Sequence, residues 1–167
     1  NNSWGGTTIC NTGYGRMDSS KSSFTSRVDM LGNPDIIFIF GGTNDAWSEA
    51  PIGEITDSYA LSAFDADTFA GGLEELFYYA KLYYGDAKFG YIINFRFSSS
   101  NPNGYLADMT EYVEMTKAIC EKWDIPYLDL YNNEELNAAL NADSLDNFSD
   151  KTYSVHPNAA GYEIITP

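Results

Sequence analysis

Ile36-Ile37-Phe38-Ile39-Phe40 is an unbroken apolar run of β-branched and aromatic residues, closed by Gly41-Gly42. It is strand-sized, and such a run reads as a strand covered on both faces. Strands of that kind belong to parallel sheets with helices packed against them. The rest of the chain alternates in the same sense. The spacing predicts helices over 67–84 and 105–123 and a short helix over 133–140. Strands over 89–95 and 126–131 fall between them. Phe69, Leu73, Leu76, Ala80 and Tyr83 recur on one helical face. A short helix over 23–31, capped by Ser22 or Ser23, precedes the first run, and Pro157 suits the first position of a closing helix. Helix and strand in alternation argue for an α/β fold with parallel strands.

The length of 167 residues fits one domain over 1–167. No stretch approaches the roughly 20 apolar residues of a membrane span. With 9 basic against 24 acidic residues, the net charge of −15 repels phosphate backbones and argues against a nucleic-acid partner. The same acidity is compatible with a secreted or cell-surface protein. Cys120 falls on an apolar helical stripe with Leu106, Met109 and Val113, which reads as a buried free thiol. Neither Cys10 nor Cys120 has a second kind of metal ligand nearby, so no metal is expected.

Three segments carry chemistry. Gly42-Thr43-Asn44-Asp45 follows the apolar strand directly, where sites form in open α/β sheets. The side-chain NH2 of Asn44 can donate to an oxygen that becomes negative in a tetrahedral intermediate; Asn-Asp is also ordinary turn chemistry. His156, the only histidine, stands at the end of a loop before Pro157. Imidazole exchanges protons near neutral pH and suits a general base. In Asn2-Ser3-Trp4-Gly5-Gly6-Thr7, a glycine past a strand can offer its backbone N–H with no side chain in the way, and Gly6 is the candidate.

In order and content these segments resemble the SGNH hydrolases, the GDSL-like lipases, esterases and acylhydrolases. Asn2-Ser3-Trp4-Gly5-Gly6 resembles that family's glycine block, Gly42-Thr43-Asn44-Asp45 its Gly-x-Asn-Asp block, and Val155-His156-Pro157-Asn158 with Ala159-Ala160-Gly161 the sequence around its catalytic histidine. The resemblance implies a three-layer α/β/α sandwich with a parallel, flavodoxin-like sheet. It implies His156 as the base, Gly6 and Asn44 as oxyanion donors, and neither metal nor organic cofactor.

Two departures stand out. The family's Gly-Asp-Ser block, on its first strand, has no counterpart here, so the chain is expected to be truncated at both ends, as part of a domain of about 200 residues. The N-terminal strand and helix and the end of the closing helix would be missing. Three residues before His156 the family's Asp is replaced by Tyr153. Asp150, in the same loop, could orient the imidazole instead; a backbone carbonyl in a dyad is the alternative. Ser3, Ser48, Ser98, Ser99, Ser100 and Ser154 all lie in predicted loops, none in a strand-to-helix elbow.

The complete protein is therefore expected to be a serine esterase or deacylase acting on small-molecule or glycan acyl esters. Acetylated carbohydrate is the preferred substrate, in keeping with loops that carry Trp4 and Trp47. This fragment alone would be inactive for want of its nucleophile. The alternative is a carbohydrate-binding module on a degenerate hydrolase scaffold.

Overall fold

Three parallel strands make the sheet, in the order β1 (Ile36–Phe40), β2 (Lys88–Ile93) and β3 (Tyr127–Asp129). The structure is a computed structural model describing residues 5–11, 23–97, 108–142, 147–149 and 155–166. Between the strands run α1 (Thr43–Trp47), α2 (Phe69–Tyr83) and α3 (Thr110–Lys122). After β3 come α4 (Glu134–Ala142) and the closing helix α5 (Ala159–Ile165). A 3₁₀ turn spans Thr25–Met30. This is the α/β architecture with a parallel sheet that the alternation of the sequence implied.

Register sorts the sheet into two faces. Ile37 pairs with Phe89, Ile39 with Tyr91, and Tyr91 with Tyr127. This face is packed: Ile37, Ile39, Tyr91 and Ile93 join one cluster with Leu73, Leu76 and Phe77 of α2 and Val113 and Ile119 of α3. α2 starts where Thr68 accepts the Gly71 N–H at 3.1 Å, two residues later than the sequence pattern placed it. Its predicted apolar face is buried except for Tyr83, which is exposed. Cys120 is buried beside Val113 and Met109, as its place on the stripe implied; Leu106 lies outside the described residues.

The other face is bare. Ile36, Phe38 and Phe40 are 54%, 69% and 51% exposed, and Leu128 on β3, two strands away on the same face, is exposed as well. This corrects the expectation of a strand covered on both faces. β1 is an edge strand, and among the described residues no element packs over its second face. Phe38 turns its ring over Gly90, where a Cβ would come within 2.9 Å of it.

The long connection after α1 is pinned by a buried ion pair. Glu74 on α2 is fully buried and bonds Lys122 at the end of α3. Lys122 also donates to the carbonyls of Thr56 at 2.6 Å and Ser58 at 2.8 Å, and Trp123 Nε1 donates to Glu74 at 3.3 Å. Two helices and a loop thus share one charge pair. Removing one partner of such a pair strands the other in a dry interior. Glu74→Ala is expected to lower unfolding free energy by about 3–5 kcal/mol. Replacing both Glu74 and Lys122 by Met is expected to cost less than that single change, as read from urea denaturation midpoints.

Candidate active site

The site lies at the carboxyl ends of the strands, where the chain leaves β1 and turns into α1. Gly41 packs so tightly that a Cβ would sit 2.8 Å from the Phe24 ring. Gly42 has φ +96°, a backbone conformation that side chains resist, and it caps α1. This turn throws Asn44 and Asp45 towards residues 5–11.

Asn44 Nδ2 donates to the Thr7 carbonyl at 2.9 Å. An asparagine amide carries two N–H donors. One is committed to Thr7, which fixes the plane of the amide, and the second is the one that can reach a ligand oxygen. Asp45, next in the chain, points inward and is fully buried. Its carboxylate accepts from the Ile9 N–H at 2.9 and 3.0 Å and from the Cys10 N–H at 3.0 Å. Burial pushes the Asp45 carboxyl above the usual carboxylate range, against the downward pull of those two backbone donors. The sequence reading treated Asp45 only as turn chemistry. Its partners are backbone groups, which leave no residue-type signal. From the other side α2 closes in at Gly72, where a Cβ would stand 2.7 Å from Cys10 Cα.

Gly6 has φ +76° in the same segment. His156 comes from the far end of the chain. A two-stranded antiparallel bridge holds it: Phe148 pairs with Pro157, and Ser149 N–H donates to the His156 carbonyl at 2.8 Å. Phe148 is buried against Phe95, ring centroids 6.0 Å apart. Pro157 is not the first helical residue. Asn158 takes the cap, accepting from Gly161 N–H at 3.2 Å, and α5 starts at Ala159. A side-chain oxygen one residue later than the proline satisfies the helix start better than the ring can.

Gly6, Asn44 and His156 all line one cavity of about 730 Å³, with Thr43, Trp47 and Asn94. The cavity continues along Ile36, Phe38 and Phe40, the uncovered face of β1. Asp150 and Tyr153 lie outside the described residues, as do Ser3, Ser98, Ser99, Ser100 and Ser154. Ser48 is described, and its hydroxyl is turned back onto the Asn44 and Asp45 carbonyls at 2.8 and 3.2 Å.

The GDSL-like lipase/acylhydrolase family model matches residues 1–156. The chain belongs to that family. Among solved structures, a protein of Bacteroides ovatus described as a GDSL-like lipase is 31% identical, with a TM-score of 0.68 over 96% of this chain. One of Bacteroides uniformis with the same description is 29% identical at a TM-score of 0.68, again over 96% of this chain. This chain spans 63% and 62% of the length of those two. A carbohydrate esterase family 2 enzyme with a carbohydrate-binding domain, from Corynascus thermopiles (Myceliophthora fergusii), shares the fold at 18% identity and a TM-score of 0.54, over 97% of this chain and 48% of its own. No curated protein matches the chain. The fold of this hydrolase family is thus the α/β sheet that the motifs implied.

The doubled bond from Asp45 is testable. Its folded-state carboxyl titrates above its unfolded value. Stability from that protonation is therefore present at low pH and lost as pH rises through the raised value. Asp45→Asn cannot titrate. Its destabilisation, read from urea midpoints, is expected to be larger near pH 4 than near pH 7.

Proposed function

We propose that this chain carries the acid–base and oxyanion parts of a serine esterase or deacylase that cleaves acyl esters. The observation that carries the reading is the convergence of Gly6, Asn44 and His156, from three distant segments, on one cavity at the carboxyl end of the sheet. In this reading a serine hydroxyl attacks the ester carbonyl while His156 takes its proton. Gly6 N–H and the second N–H of Asn44 stabilise the oxyanion. His156 then protonates the departing alcohol, and water repeats the cycle on the acyl-enzyme. Asp150 is the proposed orienter of the imidazole. The scheme calls for no metal or organic cofactor.

The nucleophile in this reading comes from a strand added at the open edge of β1. The place of β1 at the edge of the described sheet supports that placement, and the uncovered side chains of Ile36, Phe38 and Phe40 suit a helix accompanying it. Such a strand would end beside Gly6, Asn44 and His156, and residues 1–167 alone would not turn over substrate. The preferred substrates are acylated small molecules or glycans, acetylated carbohydrate first. The shared fold of the carbohydrate esterase is in keeping with this choice, which rests mainly on Trp47 at the cavity wall.

Intact-mass analysis after fluorophosphonate treatment tests the reading. The expected result is an adduct on a version extended upstream through one further strand and helix, and none on residues 1–167. No adduct on either folded protein would favour a glycan-binding module on the same scaffold. In the extended protein Asn44→Ala is expected to lower kcat roughly 10²–10³-fold. A loss under about threefold would remove Asn44 from the oxyanion hole.

A further inference from the structure

Three asparagines cross the carboxyl end of the sheet, one behind each strand. Asn137 on α4 donates to the carbonyls of Leu130 and Tyr131 at 2.9 and 3.1 Å, and its Oδ1 accepts from Arg96 N–H at 2.7 Å, just past β2. Asn94 follows β2 directly. Its Nδ2 donates to Thr43 Oγ1 at 2.8 Å, and its Oδ1 accepts from Phe95 N–H at 2.9 Å. Asn44, beside Thr43, donates to Thr7. Amide hydrogen bonds therefore link four loops in sequence, from α4 to the glycine segment.

We propose that Asn94 is a positioning residue for Asn44, acting through Thr43. The inference rests on the oxyanion role given to Asn44 above. α1 is only five residues long, and Gly42 at its cap has no side chain to fix the first turn. That turn is held from outside, by β2. Tyr91 Oη donates to the Gly41 carbonyl at 3.2 Å, and Asn94 grips Thr43. Asn94 is 6% exposed and bonded at both ends of its amide, so it has one orientation. An oxyanion donor must stand within about 2.7–3.1 Å of its target, and a displacement of about 1 Å can cost ~100-fold in rate. Thr43 and Asn44 share a peptide bond, so the grip on one sets the reach of the other.

The test has two arms. In residues 1–167, the side-chain NH2 resonances of Asn44 are expected to move in Asn94→Leu and in Thr43→Val. They should return in Thr43→Ser, which keeps the hydroxyl oxygen. In the upstream-extended protein, kcat on an aryl acetate is expected to fall roughly tenfold or more in the first two variants, with KM within about twofold and Thr43→Ser near wild type. Adding Asn94→Leu to Asn44→Ala should cost nothing further, because both act on one donor. Unmoved Asn44 resonances in Asn94→Leu and Thr43→Val would overturn the coupling. Unchanged kcat in those variants, where Asn44→Ala loses activity, would overturn the positioning role. Full activity in Asn44→Ala would sink the oxyanion reading itself, and the resonance arm would still decide whether Asn94 holds Asn44.

Discussion

The site depends on a carboxylate that has no contact with water. Asp45 stands in the interior and accepts from the N–H groups of two consecutive residues, Ile9 and Cys10. Burying a charge is costly, and the backbone donors offset only part of that cost here. The bonds join segments 35 and 36 residues apart in the chain. Asn44 adds its own bond to Thr7 from the adjoining position. The glycine segment and the turn after β1 therefore move as one body. The oxyanion hole proposed from Gly6 and Asn44 would need its two donors at a constant separation, and a clamp of this kind would supply it.

The two sides of the sheet have different standing. The packed side is complete, with aromatic contacts such as Phe77 on Tyr91 and the Glu74–Lys122 pair binding loop to helices. The bare side presents an edge strand with apolar side chains, an arrangement that natural sheets normally cover. The cavity spans both the chemical end and this bare side. Completing the site and completing the sheet are one problem in the proposed scheme, since a strand at that edge would do both.

Much of this was legible in the residues. β1 falls where Pro34-Asp35 and Gly41-Gly42 bracket it, since glycine and proline punctuate at the local level. Gly6, Asn44 and His156, which line one cavity, stand out in the sequence as candidates because short motifs keep their spacing. What failed to show is what depends on partners far along the chain. Whether Phe38 is covered depends on a neighbouring element, and apolarity alone does not report it. Glu74 and Lys122 stand 48 residues apart and look like any helix-surface charges. Asn94 and Asn137 look like loop residues until the amides are seen to interlock. The start of α5 was placed two residues too early, at Pro157 rather than Ala159, because Asn158 takes the cap.

The segment from His156 to Gly161 serves three ends in six residues. It presents an imidazole, caps α5 through Asn158, and lets that helix settle on Asn147, whose carbonyl would stand 2.3 Å from a Cβ at Gly161. Each end has its own fixed offset along the chain. An inserted residue would rotate the helix by roughly 100° against its cap and swing the glycine off the Asn147 carbonyl. Side chains at exposed Ala159 and Ala160 can be exchanged without disturbing these contacts, whereas a change in the length of the segment breaks them.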